Sequence, residues 1–74
     1  MSKLPIINAK NLEKLLFNSG FIMSRQKGSH RYYCHSDGRT TTIPHHPGRD
    51  ISRPLIKKIL QDIKLSTEEF IKLL

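Results

Sequence analysis

His30 closes a Gly28-Ser29-His30 tripeptide set among cations, with Arg25 and Lys27 before it and Arg31 after it. An imidazole can accept or donate a proton near neutral pH. The basic collar suits a polyanion. Cleaving a ribonucleic acid backbone without a metal needs a base for the 2′-hydroxyl proton and an acid for the leaving oxygen. It also needs cations for the charge that builds on the phosphorus centre. A histidine can fill either proton role. Arg25, Lys27 and Arg31 are candidates to offset the developing charge. Gly28 has no Cβ and so lets a phosphate approach the backbone. Ser29 can donate a hydrogen bond to the same group. The competing reading makes His30 a strand-edge residue with a structural hydrogen bond.

His45 and His46 follow Pro44 in a basic loop. Either supplies a second proton-transfer group or a phosphate contact, or both are exposed imidazoles in a Pro-flanked turn. His46 joins Arg25, Lys27, Gly28, Ser29 and Arg31 as a candidate RNA contact. Zinc-ligand types are present in His30, Cys34, His35, His45 and His46. Their spacing is poor. There is no Cys-x-x-Cys, no His pair at helical i, i+4, and the adjacent His45 and His46 point apart in an extended segment. No metal and no cofactor is expected. A 2′-oxygen nucleophile would then leave a 2′,3′-cyclic phosphate and a 5′-hydroxyl. Tyr32 and Tyr33 are neighbours on one predicted strand, so they face opposite sides of the sheet. One packs under helices and the other is free to stack on a base. Alternation groups His30, Tyr32 and Cys34 on one face and Arg31, Tyr33 and His35 on the other. It does not say which face is buried.

The chain has 74 residues and a formal net charge of +7. That length fits one domain, residues 1–74, with a thin core and no deep enclosed pocket. The charge is concentrated. Eight basic residues lie between Arg25 and Lys58, opposed only by Asp37 and Asp50. Such a segment favours phosphate neutralisation and counterion release, hence a nucleic-acid or acidic partner over a merely lysine-rich surface. Cys34 is the one cysteine, which excludes an internal disulfide and fits a reducing compartment. Met1 to Pro5 open no long apolar run, and no stretch approaches the roughly 20 apolar residues of a membrane span. A soluble, cytoplasmic protein made without a leader is expected.

The elements that must position these residues are legible. Asn8 can cap a helix reaching Asn18 or Ser19, with Ala9, Leu12, Leu15, Leu16 and Phe17 as its apolar stripe and Gly20 as its stop. Residues 21–25 read as a strand, Lys27-Gly28 as a turn and Ser29 to His35 as a second strand. Asp37-Gly38 signals a two-residue hairpin loop. Arg39 to Ile43 returns as the third strand, and Pro44 stops it. His45 to Asp50 is a loop. Ser52 caps a second helix with Pro54 in its first turn and Ile56, Ile59, Leu60 and Ile63 on one side. Ser66 with Glu69 fits a capping box for a last short helix carrying Phe70, Leu73 and Leu74. The fold class predicted is α+β in the order α-β-β-β-α, a three-stranded antiparallel sheet with its helices on one face. That is the order of the double-stranded-RNA-binding domain.

The chain resembles the HicA toxins, small mRNA interferases of toxin–antitoxin pairs. The resemblance rests on Gly20-Phe21 at the end of the first helix and on Arg25, Gly28, Ser29 and His30 as an Arg-x-x-Gly-Ser-His element. Asp37-Gly38-Arg39, Pro44 with His46, and the basic Ile56-Lys57-Lys58-Ile59-Leu60 segment complete it. Arg53-Pro54-Leu55 stands where the family usually has Pro-Gly-Thr. The resemblance implies metal-independent endoribonuclease activity on mRNA and a role in stress response. It maps the catalytic histidine onto His30. It also implies inhibition by a HicB-type antitoxin in a hetero-oligomer, the antitoxin covering the active site. The alternative is a non-catalytic RNA-binding module of the same fold.

Overall fold

The computed structural model describes residues 4–74; Met1 to Lys3, the start of the segment expected to carry no leader, lie outside the described residues. Helix α1 (Ala9–Asn18) begins as its sequence predicts. The Asn8 Oδ1 accepts from the Asn11 N–H at 2.8 Å, satisfying a first-turn donor that has no partner inside the helix. Leu12 and Leu16 are fully buried, with Ala9 and Leu15 beside them. Phe17 stays 46% exposed and packs edge-on against Tyr33. Gly20 follows at φ +93°, and a Cβ there would lie 2.8 Å from His35 Nε2. Backbone conformation and close approach both demand glycine.

Strands β2 (Ile22–Lys27), β3 (His30–Cys34) and β4 (Thr40–Pro44) form an antiparallel meander in that spatial order. The first turn is Gly28-Ser29, one residue later than expected, because Lys27 pairs with His30. The second connection is longer than the two-residue loop that Asp37-Gly38 suggests. His35 N–H donates to the Arg39 carbonyl at 2.9 Å, leaving Ser36, Asp37 and Gly38 in the loop. Asp37 shapes it by accepting from the Arg39 N–H and Nε.

Paired residues in an antiparallel ladder share a face. Tyr33 lies opposite Met23 and Thr41, and Arg31 opposite Ile43. Tyr33, Thr41 and Ile43 are buried, so this is the inner face. Helix α1 covers it through Glu13, which receives the Tyr33 hydroxyl; α2 (Arg53–Asp62) covers it through Asp62, which receives the Thr41 hydroxyl at 3.1 Å. His30, Tyr32 and half-buried Cys34 therefore belong to the open face.

Ile56, Ile59, Leu60 and Ile63 are buried along α2 as their spacing predicts. Ser52 occupies the N-cap position but makes no side-chain capping bond; only its carbonyl serves, accepting from Ile56 N–H. At the other end the Arg39 guanidinium donates to the Ile63 carbonyl at 2.6 Å. Helix α3 (Thr67–Leu73) starts with the Ser66–Glu69 capping box. Phe70 is fully buried, whereas Leu73 and Leu74 are exposed. One pairing is absent from the sequence expectation: β1 (Ile7–Asn8) bridges β5 (Asp50–Ile51), tying the loop after β4 to the start of α1. The architecture is the α-β-β-β-α arrangement expected, followed by the short C-terminal helix also expected. Among the described residues no helix is long and apolar enough to cross a membrane.

Candidate functional site

His30 is the first residue of β3 and is exposed. Its cross-strand neighbours are Lys27 on β2 and Pro44 on β4, so Lys27 shares its face. The turn before it is fixed from two directions. Gln26 Nε2 donates to the Gly28 carbonyl at 3.2 Å, and the His45 N–H donates to the Ser29 carbonyl at 2.6 Å. The tripeptide is thus held between its own hairpin and the loop that follows β4.

Arg25 reaches the same face through an irregularity. Met23 pairs with Tyr33, but Arg25 pairs with Tyr32, which makes Ser24 an extra, bulged residue. Without the bulge Arg25 would oppose Arg31 on the inner face, where like charges repel. With it, the guanidinium carbon lies 4.3 Å above the centre of the Tyr32 ring. Bulges near functional surfaces commonly re-aim one side chain. The Ser24 hydroxyl secures this one by donating to the Tyr32 carbonyl at 3.2 Å. Among the described residues neither Arg25 nor Lys27 has a carboxylate within ion-pair distance, while Arg31, Arg39 and Lys58 do.

Arg31 is placed apart from His30, on the inner face. It donates through NH1 to both carboxylate oxygens of Glu13, at 2.9 and 3.2 Å. Its Nε is buried and has no hydrogen-bond partner among the described residues. The Tyr33 hydroxyl donates to Glu13 Oε2 at 2.5 Å and lies 2.9 Å from His45 Nε2. The single phenolic proton goes to the carboxylate, so a neutral His45 must present Nε2–H to the phenol oxygen. This Glu13–Tyr33–His45 network anchors the loop whose backbone holds Ser29. His46 is exposed and lines a cleft with Arg31, Lys10 and Arg49 beside α1, rather than joining His30. The sequence-derived set therefore divides. Arg25, Lys27 and His30 share the open face, Gly28 and Ser29 form the turn beside it, and Arg31 and His46 face the cleft.

Glu13 was not among the residues singled out from sequence. The signal was present: it falls at i+4 from Ala9 and i−4 from Phe17, inside the apolar stripe of α1. Burial opposes its ionisation, but the Tyr33 hydroxyl and the Arg31 guanidinium outweigh that and hold its pKa below the ordinary 4.5. Burial, and then the charge of Arg31, push His45 below the ordinary 6.5, with Glu13 opposing. Burial and then Glu13 raise the Tyr33 phenol. A pH dependence of stability follows. Both Glu13 and His45 bind protons more weakly folded than unfolded, so the unfolded state takes up more protons and acid destabilises. The His45 contribution is complete above pH 6.5 and is lost as pH falls through its depressed value. The Glu13 contribution is lost below pH 4.5. Urea denaturation should show stability falling in both windows, and His45→Gln should flatten the upper one while sparing the lower. An unchanged upper window in His45→Gln contradicts the assignment.

Among the described residues no three His, Cys, Asp or Glu side chains are grouped as metal ligands. Comparison with known families gives a match that spans most of the chain. Residues 9–65 match the model described as the HicA toxin of bacterial toxin–antitoxin systems. This chain belongs to the HicA toxin family. No curated protein matches it closely. HicA membership gives the chain a toxin's role within a toxin–antitoxin pair, and so an antitoxin as partner. The matched span includes α1, the three-stranded sheet and α2, and ends before α3.

Proposed function

We propose that this HicA-family chain is an endoribonuclease that cleaves mRNA with His30 as its proton-transfer group and without a metal. The carrying observation is the open sheet face that presents His30 beside Lys27 and Arg25, neither of which meets a carboxylate among the described residues. In the proposed reaction the 2′-oxygen attacks phosphorus and the bond to the 5′-oxygen breaks. The 2′-hydroxyl loses a proton and the 5′-oxygen gains one. His30 carries one of these transfers and solvent the other. Lys27, directly across from His30, neutralises the charge that builds on the phosphate oxygens, and Arg25 adds to the field. Ser29 orients the phosphate, and its backbone is fixed by His45. Arg31, already paired with Glu13, supports the inner wall rather than the phosphate. A HicB-type antitoxin in the cytoplasm would inhibit by covering this face.

The test is incubation of the purified chain with single-stranded RNA in excess chelator. Cleavage should persist, and mass spectrometry should find 2′,3′-cyclic phosphate and 5′-hydroxyl ends. Fragments with 5′-phosphates, or cleavage abolished by chelation, reject the mechanism. A second reading has an observation of its own: among the described residues no side chain is hydrogen-bonded to the His30 ring, whereas catalytic bases are usually oriented by a third group. RNA binding without any cleavage would favour that non-catalytic module.

A further inference from the structure

We infer that the stacked pair Arg25–Tyr32 is a nucleobase subsite, which takes an unpaired base of single-stranded RNA next to the phosphate that His30 addresses. The inference rests on the proposed reading of the open face as the RNA face. Tyr32 is two residues from His30 on β3, so both side chains leave the sheet on the same side, roughly 7 Å apart along the strand. That is the scale of one nucleotide step. A groove runs from His30 past Tyr32 and Thr42 to Leu55 on α2, around the free edge of β4.

The pair is a built feature. Ordinary alternation would send Arg25 inward, and the Ser24 bulge turns it outward onto the Tyr32 ring. An Arg laid over a Tyr ring presents a broad flat surface with positive charge. Bases stack on aromatic rings and on guanidinium planes, and an adjacent phosphate is drawn by the same cation. Thr42 lies directly across from Tyr32 on β4 and lines the same groove. A base inside a duplex is covered by its neighbours, so this subsite requires an unpaired one. It supplies affinity and register for the reaction, and Tyr32 is a binding residue rather than a catalytic one.

The probe is a short oligouridylate carrying one central 2-aminopurine, titrated into the His30→Ala chain so that the RNA survives. Binding should quench the 2-aminopurine. Tyr32→Leu should weaken binding by about tenfold or more, abolish the quench and leave the salt slope unchanged. Tyr32→Phe, which keeps the ring, should restore most of what the leucine loses. Arg25→Gln should weaken binding and also reduce the salt slope, since it removes a charge as well as a plane. Thermal melts of each variant check folding. Parent-like affinity and quench in both Tyr32→Leu and Arg25→Gln overturn the inference while leaving the nuclease reading intact. No RNA binding by the parent chain overturns both. Cleavage that proves independent of His30, with binding still dependent on Tyr32, removes the catalytic reading alone and supports the subsite.

Discussion

His30→Ala should slow RNA cleavage by about 10²–10⁴-fold, the range that a positioned acid or base supplies, and should leave the fold unchanged. The ring is exposed at the head of β3 and has no side-chain hydrogen bond among the described residues. Removing it opens no cavity and strands no buried partner, so stability should move by less than about 0.5 kcal/mol. His45 provides the contrast. Its ring is largely buried against Tyr33 and Glu13, and that contact anchors the loop whose backbone N–H holds the Ser29 carbonyl. His45→Ala should lower the melting temperature and loosen the turn. Its effect on cleavage should appear mainly in KM, with kcat falling far less than in His30→Ala. Rates on a labelled RNA and thermal melts of both variants separate a reacting histidine from a supporting one. Equal losses of kcat in the two variants, or cleavage intact in His30→Ala, defeat the assignment.

The contrast between the two histidines also marks where sequence reading stops. Local signals carried the frame. The Asn8 cap, the Gly20 stop, the α2 stripe and the Ser66–Glu69 box all act within a few residues, and each is present as expected. What was hidden depends on distant partners. The Ser24 bulge follows from pairing between strands, and strict alternation in β2 gives the wrong face for Arg25. The carboxylate of Glu13 is visible as an oddity in an apolar stripe, but its link to Tyr33 and His45 needs three separate elements to meet. The β1–β5 bridge joins segments far apart in the chain, each too short to show a period. The dipeptide Asp37-Gly38 favours a two-residue loop, but Asp37 bonding to Arg39 extends it. The helix-carried apolar residues Phe70, Leu73 and Leu74 do not share one fate: Phe70 is buried and the two leucines are exposed, a division set by what α3 packs against. Type and order of elements were local. The division of cations between the open face and the cleft was not.

Phe70→Ala should destabilise the chain by about 3–5 kcal/mol, the usual cost of truncating a fully buried phenylalanine. Phe70 is 0% exposed and belongs to the same buried cluster as Ile56, Ile59 and Leu60 of α2. A chain of this length has a total stability of roughly 4–11 kcal/mol. The variant would therefore lose roughly a quarter or more of what holds the fold together. The case is informative because α3 lies beyond the residues that match the family, 9–65. A helix of seven residues is too short to persist by propensity alone. Its capping box satisfies the N-terminal donors, and Phe70 supplies the tertiary contact that keeps it. Leu73→Ala, at a position 55% exposed, should change stability by less than about 0.5 kcal/mol. Urea denaturation reads both, with the midpoint falling for Phe70→Ala and the slope unchanged. The effect should reach function by population: α2 backs the inner face of β4, and β4 pairs with the strand that presents His30. Growth arrest by Phe70→Ala should weaken in proportion to the unfolded fraction, with kcat per folded molecule retained. A variant as stable as the parent would mean that the core closes without the Phe70 side chain, and that the capping box alone keeps α3 in place.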